Sequence, residues 1–127
     1  MKTFYALLAV IVLMASGFII YEKAQPGQYD AFATCLKDKG AIFYGAFWCQ
    51  HCQKQKAMFG KSAKLLPYVE CSTSDAKNQL DVCKDKKIES YPTWDFPDGS
   101  REVGEIVLDK LAEKTNCSLT IEESLPQ

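Results

Sequence analysis

An α/β domain with a mixed central sheet and helices on both faces, set behind one apolar N-terminal helix, is the architecture this sequence predicts. Three observations carry it. An uncharged apolar stretch runs from Phe4 to Tyr21, and short strand-forming runs then alternate with helix-like segments. Late in the chain, Pro97-Asp98-Gly99-Ser100 separates two short strand-formers, the turn of a β-hairpin. Strand–helix–strand alternation followed by an antiparallel hairpin gives a sheet of mixed direction.

The first element is the 18-residue stretch FYALLAVIVLMASGFIIY, which as a helix reaches roughly 27 Å, close to the hydrocarbon thickness of a bilayer. Lys2 and the terminal amine precede it, while Glu22 and Lys23 cancel behind it. The positive-inside rule therefore keeps the amino terminus cytoplasmic and places everything after Tyr21 on the extracytoplasmic side. Residues 1–23 are read as a signal anchor. A cleaved signal peptide is the alternative: Ala15-Ser16-Gly17 offers small residues to a peptidase, but the large apolar residues Phe18 to Tyr21 follow at once. Both readings export the rest of the chain.

A polar spacer, residues 24–28, leads into a domain assigned to residues 24–117. Residues 29–39 place Phe32, Cys35 and Leu36 on one helical face, with Gly40 as the stop. Residues 41–47 read as a buried strand, followed by a helix from the Cys49 region to Leu66 that Pro67 ends. Tyr68 to Cys71 is a second strand, and Ser72 to Asp75 supply caps for a helix over residues 76–87. The hairpin pairs Thr93–Phe96 with Arg101–Val103, and a last helix covers 108–115. Residues 118–127 read as a mobile tail.

Composition narrows the function. The 127 residues are 47% apolar and 24% charged, against disorder, and 15 Lys+Arg against 16 Asp+Glu leave a net charge of −1. A dedicated nucleic-acid binder is excluded, because phosphate neutralisation needs a cationic surface. Six cysteines beside one histidine point to an oxidising compartment or to metal or redox chemistry.

Cys49-Gln50-His51-Cys52 follows a strand and opens a helix. Free N–H groups and the macrodipole at a helix N-terminus favour an anion, so Cys49 is expected to serve as a ready thiolate nucleophile. His51 adds positive charge or a hydrogen bond beside it, and the deeper Cys52 acts as the resolving thiol. A structural disulfide across so small a loop would stabilise little. A zinc site wants a second close ligand pair that the scattered remaining cysteines do not offer, so no metal is expected. Haem attachment wants C-x-x-C-H, and position 53 is Gln.

Ala46-Phe47-Trp48-Cys49-Gln50-His51-Cys52, with Tyr91-Pro92-Thr93 beyond it, resembles the thioredoxin fold. More narrowly, Tyr44 to Cys49, Leu65-Leu66-Pro67-Tyr68-Val69-Glu70-Cys71, Ser90-Tyr91-Pro92-Thr93-Trp94 and Gly104 resemble the thioredoxin-like domain of bacterial vitamin K epoxide reductase homologues. The similarity spans roughly residues 35–113. It implies a monomeric domain that exchanges disulfides with secreted cysteine-containing proteins, needs no dissociable cofactor, and is reoxidised by a quinone-linked membrane enzyme. That enzyme's four helices are not in this sequence, so a separate partner is implied.

The resemblance also assigns Pro92 as a cis-proline beside the cysteines, with Tyr91 presenting its backbone to substrate and Trp48 shielding the disulfide. A trans proline that merely starts a strand is the alternative. Cys71 and Cys83 match a second cysteine pair of the resembling family, which implies a structural disulfide and leaves Cys35 for Cys117. Connectivity does not follow from sequence, and four free buried thiols remain the alternative. Where reducing thioredoxins keep a buried acid, Phe43 stands here, which favours an oxidase or isomerase over a strong reductase. Isomerase or reductase chemistry with the same cysteines, or a non-catalytic binding module, are the competing functions.

Overall fold

The computed structural model describes residues 1–119. Helix α1 (Lys2–Ala24) is apolar on all sides. Its segment Thr3–Glu22 has a mean hydropathy of 2.4 and buries nothing against the rest of the chain. It is long and apolar enough to cross a membrane.

The domain begins with α2 (Asp30–Asp38), whose Phe32, Ala33 and Leu36 are buried. Gly40 ends it at φ +85°, a left-handed position suited to glycine. Strand β1 (Ile42–Gly45) leads to α3 (Gln50–Met58), a 3₁₀ helix (Gly60–Leu65) and β2 (Tyr68–Glu70). A short α4 (Asp81–Lys84) precedes β3 (Thr93–Asp95), β4 (Arg101–Val103) and α5 (Leu108–Thr115). The strand order is β2-β1-β3-β4. β1 runs parallel to β2 and antiparallel to β3, and β3 and β4 form the hairpin. The mixed sheet is as the sequence predicts.

Side chains alternate along β1 and so divide the interior in two. Phe43 joins the larger cluster with Phe32, Leu36, Phe59, Trp94, Leu111 and both cysteines of the 49–52 pair. Its ring stacks on Trp94 with centroids 4.8 Å apart. Tyr44 faces the other way, onto Cys71, Cys83 and Ile88. Helices therefore cover both faces, with α2, α3 and α5 on one and α4 on the other.

Two expected helices are shorter in the fold. The helix expected to reach Leu66 stops at Met58, because Phe59 turns fully inward to stack on Phe32 and Gly60 takes φ +54°. The helix expected over 76–87 shrinks to Asp81–Lys84. Its presumed caps build a tight loop instead: Asp75 accepts hydrogen bonds from the Thr73 hydroxyl and the Lys77 amide. The Leu80 amide then returns to the Cys71 carbonyl at 2.7 Å, which closes the loop before a helix can start. Of the tail expected from Ser118, Leu119 packs partly buried against the core, and residues 120–127 lie outside the described residues.

Candidate active site

The site lies where β1 hands over to α3. The Cys49 amide donates to the Ala46 carbonyl at 3.0 Å, turning the chain so that Cys49 becomes the N-cap of α3. Its sulfur accepts the Cys52 amide at 3.2 Å, the orphan donor that a helix N-terminus offers to negative charge. The thiol itself points to the Tyr91 carbonyl, 3.7 Å away. Cys49 and Cys52 are both free thiols.

Cys52 lies one turn deeper with no exposed surface. Burial first, and the hydrogen bond with Cys49 second, push its thiol up to about 12. The floor beneath it closes only over glycine. A side chain at Gly45 would place its Cβ 2.8 Å from Tyr68 Cε2 and 3.0 Å from Cys52 Sγ.

Around Cys49 the surface is a groove of about 570 Å³, lined by Trp48, Cys49, Gln50, His51, Glu89, Ser90 and Tyr91. Trp48 is half exposed and meets Tyr91 edge to face, with centroids 6.0 Å apart. Its indole N–H donates to Ser72 Oγ at 2.8 Å, which fixes the ring at the groove's wall. The Tyr91–Pro92 peptide is cis, and the Pro92 ring is fully buried. The groove is therefore offered Tyr91 and its carbonyl rather than the proline.

His51 does not make the hydrogen bond to the Cys49 sulfur that is one of its two expected roles. Its ring is mostly exposed and hydrogen-bonds Glu105 Oε1 through Nδ1 at 2.6 Å, not the Cys49 sulfur. The reason is direction: a residue two positions beyond the N-cap projects outward from the helix, towards the loop after β4. The other four cysteines form two disulfides, Cys35–Cys117 and Cys71–Cys83. The first ties α2 to the chain after α5, and the second joins the end of β2 to α4.

Several supporting residues are invisible in the sequence. Glu105, Ser72 and Glu70 reach the site only through folding. Glu70 Oε1 accepts the Phe47 and Ser72 amides at 3.2 and 2.9 Å, bracing the loop that carries Trp48. Gln55 alone had a local signal, since it follows Cys52 by three residues on the same helical face. It is fully buried, and its amide exchanges two hydrogen bonds with the Ile106 backbone, at 2.9 and 2.7 Å.

Chemically, a thiol with an N–H aimed at its sulfur, open to a groove and backed by a second thiol, is equipped for thiol–disulfide exchange. The family model described as Thioredoxin matches residues 23–118. A curated relative, "Thiol-disulfide oxidoreductase LTO1" of Arabidopsis thaliana, is 48% identical over 93 residues, covering 70% of this chain and 24% of that protein. The chain thus spans about a quarter of the length of the relative it matches. The chain belongs to the thioredoxin family, and its cysteine pair has the chemistry of a thiol–disulfide oxidoreductase.

Proposed function

We propose that the chain is a membrane-anchored disulfide-forming oxidoreductase, held by α1 with its domain on the extracytoplasmic side and working as a monomer on secreted cysteine-containing proteins. One observation carries the reading: the Cys49 sulfur lies at the mouth of the groove on a helix N-cap, with the Cys52 thiol sealed one turn beneath it.

In the cycle, a substrate thiolate attacks Cys49 Sγ of the Cys49–Cys52 disulfide, and Cys52 leaves with the bonding pair and takes up a proton. A second substrate thiolate attacks the substrate sulfur of the mixed disulfide, and Cys49 leaves as thiolate. The amide donated by Cys52 favours that leaving group and stabilises the reduced enzyme, which makes the disulfide a stronger oxidant. Trp48, Tyr91 and the backbone before Pro92 form the wall on which an extended substrate lies. No dissociable cofactor enters these steps. The thiols are reoxidised by a separate quinone-linked membrane oxidase of the vitamin K epoxide reductase type, the partner that the motif resemblance supports. Cys71–Cys83 and Cys35–Cys117 serve as structural disulfides.

Trapping tests the reading. A Cys52→Ala variant in cells should accumulate mixed disulfides through Cys49, and mass spectrometry names the partners, the membrane oxidase among them. Recovering none sinks the exchange reading. A Cys49/Cys52 potential near thioredoxin's roughly −270 mV would keep exchange but reverse its direction to reduction.

A further inference from the structure

We propose that Tyr68 and Glu70 carry the proton to and from Cys52 during exchange, with Tyr68 as relay and Glu70 as the carboxylate that holds it. This rests on the exchange reading above. Each time the Cys49–Cys52 disulfide forms, the Cys52 thiol must lose a proton, and each time it opens, the sulfur must regain one. Cys52 is sealed from solvent, so the partner for that proton must come from the protein.

The ionisable groups whose charges couple to Cys52 are Cys49 and Lys56 on α3 and Tyr68 on β2, with Glu70 reached only through the Tyr68 hydroxyl. Cys49 is the sulfur being attacked. Lys56 is a cation with no lone pair to offer, its Nζ 3.4 Å above the Tyr68 ring centre. Tyr68 and Glu70 remain, and the geometry joins them into a path. The point a Cβ at Gly45 would occupy lies 3.0 Å from Cys52 Sγ and 3.4 Å from Tyr68 Oη, so the glycine leaves both atoms bordering the same gap. The Tyr68 hydroxyl donates to Glu70 Oε2 at 2.7 Å. Glu70's other oxygen is pinned by the Phe47 and Ser72 amides, so the carboxylate cannot swing away. Burial and the bond to Glu70 hold the Tyr68 proton tightly, so Tyr68 passes a proton on without becoming an ion.

In the resolving step, the Cys52 S–H bond breaks and its proton passes to Tyr68 Oη as Tyr68's own proton passes to Glu70 Oε2. The freed sulfur pair forms the bond to Cys49 Sγ, and the substrate sulfur leaves as thiolate. The cysteine pair is oxidised by two electrons and the substrate disulfide is reduced. The disulfide-forming direction runs the same path backwards, Glu70 returning the proton.

The test uses the full chain, reduced and in detergent, with glutathione disulfide as the probe. Rapid-quench mass spectrometry separates capture at Cys49 from resolution by Cys52. Glu70→Gln preserves size and a hydrogen-bond acceptor, and Tyr68→Phe preserves the ring. Each should slow resolution about 100-fold at neutral pH, the size of a general-base contribution, with the deficit shrinking as pH rises. Should one variant fail to fold, the other decides. Unchanged resolution overturns the proposal, as does equal slowing of capture and resolution with an unaltered pH profile, which means the pair only braces the loop. A wild-type chain that never forms the mixed disulfide overturns the exchange reading itself.

Discussion

At Cys49 the sulfur opens on a groove between Trp48 and Tyr91 and receives a backbone N–H. At Cys52, one helical turn away, the sulfur touches only protein, and its proton is held up to about 12. The difference follows from position on α3: the N-cap Cys49 keeps a small exposed edge, 6% of its surface, on the groove, while the residue three further on turns fully into the core. The mouth offers access and an N–H aimed at the sulfur, while the floor holds a thiol shielded from solvent.

Breaking the mouth has the largest effect. Cys49→Ser should abolish disulfide transfer to a dithiol peptide followed by fluorescence, a loss of several orders of magnitude, because the attacked sulfur itself is gone. Residual turnover above a percent of wild type would place the chemistry elsewhere.

The structural cysteines come next, and they differ between themselves. Cys35–Cys117 closes 82 residues and Cys71–Cys83 closes 12. Loop entropy predicts that paired serine substitutions cost about 4–5 kcal/mol for the first and about 3 kcal/mol for the second in urea unfolding. A reversed order would argue against the entropic account.

The floor should be costly to disturb where the mouth is not. Phe43→Ala removes the ring that stacks on Trp94 and meets Tyr68 edge to face, and should cost about 3–5 kcal/mol. Trp48→Ala, on a half-exposed ring with one hydrogen bond, should cost about 1 kcal/mol and act mainly on exchange rate.

Alkaline pH separates the two sulfurs differently. The folded chain holds the Cys52 proton to about 12 against an ordinary 9.0, so between those values it binds more protons than the unfolded chain. Stability of the reduced form therefore falls as pH rises through that window, by up to about 1.4 kcal/mol per pH unit. The oxidised form lacks that titration, so its urea midpoints should fall less steeply above pH 9; parallel curves would refute the assignment. Smallest is Glu105→Gln at the groove's rim, expected to change stability by less than about 1 kcal/mol because the His51 pair is exposed.

Much of the site was legible because its signals are local. Cys49 and Cys52 share one turn, the strand before them and the helix after them announce the N-cap, and Pro97-Asp98-Gly99-Ser100 specifies the hairpin. His51 shows the limit: spacing put it beside the cysteines, but helix geometry turned its ring to Glu105, 54 residues away. The 76–87 helix failed for a related reason, since residues that cap a helix also close a loop, and the Leu80–Cys71 bond chose the loop.

The sequence by itself determined the apolar N-terminal helix, the mixed sheet and the placing of the Cys49–Cys52 pair at a helix start, since each depends on composition or on spacing within a few residues. Tertiary structure alone decided what surrounds Cys52. Gly45, Tyr68 and Glu70 lie on two neighbouring strands that meet only through the parallel register pairing Gly45 with Glu70. No period in the chain encodes that meeting, because the forces that set it, burial of Phe43 and Trp94 and the pairing of distant backbone, act between segments rather than along them.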